Sequence, residues 1–368
     1  MPSRAQHSSS GWGALALVAG LVVFGCGGSS EPESGGLEDN PYTEAKAELG
    51  RYLFYDARLS VDSSISCGSC HFQELGFADG IAVPTGATGE VGPRNSPGLA
   101  NVGDLSPLTW SAPALTNLEL QIQVPMFGEV PVELGLSGYE SEILGRLRAE
   151  PRYQSLFAAA FPGDEDPFTT GSILYALASF CRGLESRSSP YDRYLAGDAG
   201  ALDEAQKRGL ALFESERLGC SGCHEGVELT RASGLATANE DLYFNMGLYD
   251  IDGLGAYPTG GEGLFLSTFD TADMGKMRIP PLRNVAVTGP YMHDGSDATL
   301  DEVIEIYEAG GRNVADGPLA GDGRSNPYKA TAMTGFDLSA AERADLLRFF
   351  DALTDSEFLV DPRFASPW

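Results

Sequence analysis

Two short stretches constrain the fold of this chain more than anything else in it: Cys67-Gly68-Ser69-Cys70-His71 and Cys220-Ser221-Gly222-Cys223-His224. Cys-x-x-Cys-His is the attachment signature of c-type haem, in which two thiolates add to the haem vinyls and the adjacent His binds the iron. A zinc ribbon needs its Cys pairs about 15–20 residues apart, whereas these pairs lie in opposite halves of the chain. A redox dithiol has no use for the His twice. The chain is therefore expected to carry two haem c groups, thioether-bound through Cys67, Cys70, Cys220 and Cys223, with His71 and His224 as iron ligands.

The segments before the motifs repeat. Ala45, Leu49, Tyr52 and Leu53 recur at helical spacing over 43–55. Over 203–213, Asp203 is a natural N-cap with Gln206 three residues on. Gly50-Arg51-Tyr52-Leu53-Phe54 and Gly209-Leu210-Ala211-Leu212-Phe213 agree at Gly, Leu and Phe, the mark of tandem units. Further helical patterns run over 140–161, interrupted near Pro151, and over 170–184. Thr299/Glu302 and Ser339/Glu342 form capping boxes, the second helix ending near Leu353 with a tail beyond. Residues 77–113 are rich in Gly, Pro and Asn and read as loop. Gly-rich 253–263 is another loop, and 197–200 is the expected junction. No succession of alternating strands occurs. The expected class is mostly α, with two tandem cytochrome c-like domains, 41–196 and 197–368, each holding one covalent haem.

Lys+Arg 24 against Asp+Glu 52 gives a net charge of −28, which excludes nucleic acid and anionic membrane surfaces as partners. The acidity suits a basic donor protein, or solubility alone. Arg4 followed by the apolar run 12–24 has the form of an export signal, 1–25, too short to span a membrane stably. Cys26 after Gly25 resembles a lipobox cysteine, although Phe24 is unusual there and a plain signal peptide is the alternative. Residues 26–40 read as a Gly/Ser/Glu-rich tether. The expected location is periplasmic, with a lipid anchor at the outer membrane. Cys181, in an apolar helical run, reads as a buried free thiol.

Three stretches carry a resemblance: Arg94-Asn95-Ser96-Pro97, Ser189-Pro190-Tyr191-Asp192-Arg193-Tyr194-Leu195, and Leu282-Arg283-Asn284-Val285-Ala286-Val287-Thr288-Gly289-Pro290-Tyr291-Met292-His293-Asp294-Gly295. With the two haem motifs, they make residues 41–354 resemble the bacterial di-haem cytochrome c peroxidase family. The likeness extends to its methylamine-utilisation protein G (MauG) branch, and residues 124–134 together with Leu108-Thr109-Trp110 look more like the branch of methanobactin-associated di-haem enzymes (MbnH). The peroxidases of that family that need reductive activation carry a distal His in the loop after the first motif. The four His here are His7, His71, His224 and His293, with none over 72–100. The resemblance therefore implies an open, five-coordinate haem at His71.

The family places the sixth ligand of the second haem fourteen residues past the His of His-Asp-Gly, which here is Tyr307. Tyr307 shares a helix face with Leu300, Val303 and Ile304. Met274, Met277 and Met292 are the competing ligands. Leu118-Glu119-Leu120-Gln121 and Pro131-Val132-Glu133-Leu134 match family stretches that supply a positioning Gln121 and an acid/base Glu133. The segment between them is longer than the pattern, so Gln123 and Glu129 compete. Trp110 resembles the family's charge relay between the haems, with a core Trp as the alternative. Asn95, Thr288 and Pro290 match donors to one Ca²⁺, consistent with its preference for oxygen, and Arg283 matches a propionate partner.

The implied function is a di-haem oxidoreductase that uses hydrogen peroxide to reach a high-valent, bis-Fe(IV)-type state and then oxidises a residue, Trp, of a partner protein. The alternative is a cytochrome c peroxidase drawing electrons from a small cytochrome c. A plain electron-transfer cytochrome is the third reading and leaves Glu133 unexplained.

Overall fold

Two helix crossings, each built on one of the repeated glycines, organise the structure. The computed structural model describes residues 40–233 and 239–368; the expected signal and Cys26 anchor lie outside them. Its helices are α1 (Glu44–Phe54), α2 (Leu118–Phe127), α3 (Glu140–Ala149), α4 (Pro151–Ala160), α5 (Thr170–Arg182) and α6 (Pro190–Leu195). They continue with α7 (Glu204–Phe213), α8 (Asn239–Leu242), α9 (Phe265–Thr268), α10 (Leu300–Ala309) and α11 (Ala340–Asp351). The described strands are two residues each: β1 (Tyr243–Phe244) pairs antiparallel with β2 (Met277–Arg278), and β3 (Asn313–Val314) with β4 (Gly321–Asp322). The structure is mostly helical, as the sequence patterns require.

In the first crossing α1 lies against α5. A Cβ added to Gly50 would stand 2.0 Å from the Ala176 carbonyl oxygen, so the backbones meet at van der Waals distance. In the second, α7 lies against α11, and a Cβ on Gly209 would stand 2.0 Å from the Asp345 carbonyl oxygen. Four residues on in each pair, Phe54 and Phe180 pack at 5.1 Å between ring centroids and Phe213 and Phe349 at 5.2 Å. The sequence repeat is therefore a repeat of one helix-crossing geometry. The expected caps are present: Asp203 accepts from Gln206 N–H, Thr299 from Glu302 N–H and Ser339 from Glu342 N–H.

Two principal cores result. One runs from Leu49 to Leu184 and the other from Tyr191 to Leu353. The chain passes between them ahead of the 196/197 boundary expected from sequence, because the Ser189-capped helix α6 packs Tyr191 edge-on to Phe349 at 5.6 Å. It then returns, since Phe358 and Phe364, read from sequence as tail, are buried in the first core. Asn40, expected to end the tether, is buried too, its amide donating to Glu119 Oε1 at 2.7 Å. Four buried polar side chains stitch the crossings together. Asn101 donates to Ser186 O at 3.0 Å, Asn284 to Ser186 Oγ at 3.0 Å and Ser186 Oγ to Asp355 Oδ2 at 3.2 Å.

Candidate active site

Each Cys-x-x-Cys-His stretch folds as a short 3₁₀ turn, Cys67–Ser69 and Cys220–Gly222. The His71 amide donates to Cys67 O at 3.0 Å and the His224 amide to Cys220 O at 2.9 Å, which brings both thiols and the imidazole to one side of each turn. Gly68 is needed for a close approach, because a Cβ there would meet the Tyr55 ring at 2.4 Å. All four thiols are unpaired. His71 Nδ1 lies 2.6 Å from Phe77 O and His224 Nδ1 lies 3.0 Å from Leu229 O. A carbonyl only accepts, so at His71 Nδ1 carries the hydrogen and Nε2 is left with its lone pair, the arrangement of a metal-ligating His, while the His224 ring also lies within hydrogen-bonding reach of the Pro280 carbonyl. Burial lowers the His71 pKa and takes that of His224 down to about 4, keeping both rings neutral.

The second motif opens on a cavity of about 330 Å³ whose wall includes Cys220, Cys223, His224, Tyr307, Trp110 and Asn95. Leu300, Val303 and Ile304 of α10 line it as well, so the expected helix face does turn inward. The Tyr307 hydroxyl has only a 3.7 Å contact to Met246 Sδ, and burial beside Cys220 and Cys223 raises its pKa. Met277 and Met292 are on the wall, and so are Met246 and Met333, which sequence reasoning did not single out. The free thiols, the adjacent imidazole and the mainly apolar wall fit a thioether-linked haem.

Beside the first motif, α2 and the loop after it set out the acid/base candidates. Asn117 caps α2 by accepting from Leu120 N–H at 2.9 Å. The following loop is pinned to its end by Leu134 N–H to Pro125 O at 2.9 Å and Leu136 N–H to Met126 O at 2.8 Å. Glu133 is thereby held near Cys67 and Cys70, adding its charge to the burial that chiefly raises their thiol pKa values, and burial raises its own carboxyl pKa. Gln121 Oε1 is buried without a partner among the described residues. The competitors are engaged elsewhere: Gln123 donates to Glu119 O at 3.1 Å, and exposed Glu129 accepts from Ser137 at 3.0 Å.

The wall between the motifs is tied together by hydrogen bonds. Trp110 Nε1 donates to Asn95 O at 2.9 Å, and Asn95 N–H donates to His293 O at 2.8 Å. The Asn95 amide nitrogen is taken by Ile81 O at 2.9 Å, and no described residue donates to its Oδ1, which suits an oxygen-ligated cation. Thr288 and Pro290 reach the same cavity. Arg283 Nε is taken by Val227 O at 2.9 Å and Nη1 by Asp192 at 2.5 Å, while buried Nη2 has no described partner. One donor edge is thus left for a propionate. His293 Nε2 and Arg94 Nε are also buried without described partners. Sequence reasoning gave neither a role, although both lie within the resembling stretches.

A family model described as di-haem cytochrome c peroxidase matches residues 44–200. The cytochrome-c peroxidase IdrP1 of Denitromonas iodatirespirans is 33% identical over 95% of this chain and 94% of its own length. The methylamine utilization protein MauG of Methylorubrum extorquens is 33% identical over 85% of this chain and 79% of its own. A solved structure described as a MauG-like protein associated with microbial copper homeostasis is 49% identical, covers 90% of this chain and 95% of its own, and superposes with a TM-score of 0.86.

Proposed function

The chain belongs to the di-haem cytochrome c peroxidase family, oxidoreductases acting on peroxide, and from that premise we propose that it directs peroxide's oxidising power onto a tryptophan of a partner protein. The observation that carries this reading is Tyr307 on the wall of the His224 cavity. A thioether ligand favours Fe(II) and a high potential, whereas a phenolate is a hard anionic donor that favours oxidised iron. The 49% likeness to a MauG-like protein of copper homeostasis supports the same branch and points to an exported copper-handling protein as partner.

Two haem c groups, held at Cys67/Cys70/His71 and Cys220/Cys223/His224, supply the redox chemistry when bound. The chain's own residues do the rest. Glu133, kept protonatable by burial, moves a proton from the inner to the outer peroxide oxygen. Gln121 orients peroxide through its unengaged Oε1. Trp110 gives its N–H to a carbonyl, which takes a hydrogen bond but no proton, so the ring can lose an electron while keeping that proton. Asn95, Thr288 and Pro290 would hold calcium, and Arg283 Nη2 would hold a haem propionate. Cys26 carries the lipid that tethers the exported protein. Peroxidase activity toward a small cytochrome c is the second reading, favoured by the relatives that carry that name.

Two measurements test the reading. The resting ferric protein should give one high-spin and one low-spin EPR signal, and Tyr307→Phe should change the low-spin one. Two low-spin signals would refute the open site. Peroxide should leave a Trp mass change on the partner, and rapid peroxide-driven turnover of reduced cytochrome c would overturn the protein-oxidising reading.

A further inference from the structure

We propose that residues 358–364, where the chain returns to the first core, form a strap that sets the orientation and basicity of His71, with Phe358 as a positioning residue. The path is short. The carbonyl that fixes His71 Nδ1 at 2.6 Å belongs to Phe77. Phe77 is fully buried and holds φ at +65°, a left-handed conformation that bulky side chains rarely adopt. Such a conformation persists only where the surroundings over-determine it. The surroundings here are Phe358, at 5.6 Å between ring centroids, and Phe54, at 6.0 Å.

The strap grips the haem-attachment loop at two further points. Gln73, two residues past His71 and buried, donates through Nε2 to Phe358 O at 3.0 Å and to Asp361 O at 2.9 Å. Tyr55, whose ring lies against Gly68 inside the Cys-x-x-Cys turn, donates to Phe364 O at 2.8 Å. Phe364 packs behind Phe358 at 5.5 Å.

The second loop supplies an internal comparison. Leu229, the acceptor for His224, is also left-handed, at φ +53°, and buried. It packs within its own core rather than under a returning segment, and its carbonyl stands farther off, at 3.0 Å. A hydrogen bond from the distant imidazole nitrogen raises the donor strength of the ligating one. By holding Phe77 O on His71 Nδ1, the strap therefore strengthens His71 as a donor.

The inference rests on the reading of His71 as the axial ligand of an open haem. The test uses the full haem-loaded protein with Phe358→Ala, Phe358→Leu and Gln73→Met, the last keeping volume while removing both strap hydrogen bonds. The controls are the second haem and a core variant, Leu147→Ala. The readouts are the iron–histidine stretch of the reduced first haem by resonance Raman and the midpoint potential of each haem. Phe358→Ala and Gln73→Met should lower the stretching frequency and raise the first potential. Phe358→Leu should restore both, and the second potential should stay in place. An unchanged first haem in the folded variants, or an equal change in Leu147→Ala, overturns the proposal. If Phe358→Ala does not fold, Gln73→Met and Phe358→Leu decide. Absence of any iron–histidine band in the unsubstituted protein would count against the open haem alone, and the potentials would still decide the strap.

Discussion

Among single residues, Glu133 carries the sharpest prediction. Removing a general acid/base group typically costs 10²–10⁴-fold in rate, so Glu133→Gln should slow the stopped-flow reaction with peroxide by about 10²-fold, while Glu129→Gln leaves it unchanged. Burial raises the Glu133 pKa, so its proton-accepting form is lost at a higher pH than for an ordinary carboxylate. The rate should fall toward acid with a midpoint above the usual carboxyl range, and the Gln variant should lack that limb. The motif residues were legible because covalent attachment fixes their spacing locally. The facing wall was legible only in part: Trp110 and Asn95 were reached through the resemblance, whereas Met246 and Met333 join them only through tertiary contacts of Gly- and Pro-rich loops. Their types suggest candidates, but spacing alone does not join them.

For the helices, the repeated glycines matter most. Gly50→Ala and Gly209→Ala each drive a methyl into the facing backbone, and overpacking of that kind destabilises by about 2 kcal/mol. Gly145, exposed in α3 with open space around it, should respond oppositely, Gly145→Ala adding about 0.5–1 kcal/mol by relieving helical glycine entropy. Urea unfolding of the three variants measures both signs. Elements with caps and one apolar face were readable from sequence. α2 was reached only as part of a resembling stretch, because it contains Pro125 and buries Leu118, Glu119, Ile122 and Met126 without a clean stripe. The tail defeated sequence reading for another reason: burial of Phe358 and Phe364 depends on partners about 300 residues away.

For the whole molecule, the −28 charge is accompanied by well-placed surface pairs. The Gln206 amide and Arg348 hold the Asp203 pKa below the usual range, Arg208 does so for Asp345, and Arg363 for Asp361. A carboxylate depressed in the folded state stabilises above its unfolded pKa and loses that contribution as pH falls. Thermal stability should therefore decline as pH drops below about 4, with added salt weakening these exposed pairs. Calorimetry across pH and ionic strength checks both.

The path between cores has a consequence in time as well as in space. A ribosome makes the chain from the first core into the second and back, so the second core closes around its own contiguous sequence. The first must wait for residues 358–364, although its cysteines are made early. Cys67 and Cys70 thus emerge well ahead of Cys220 and Cys223, although the two cores are completed close together, at Leu353 and at Phe358 and Phe364. Between emergence and enclosure, the first attachment site therefore waits longer than the second.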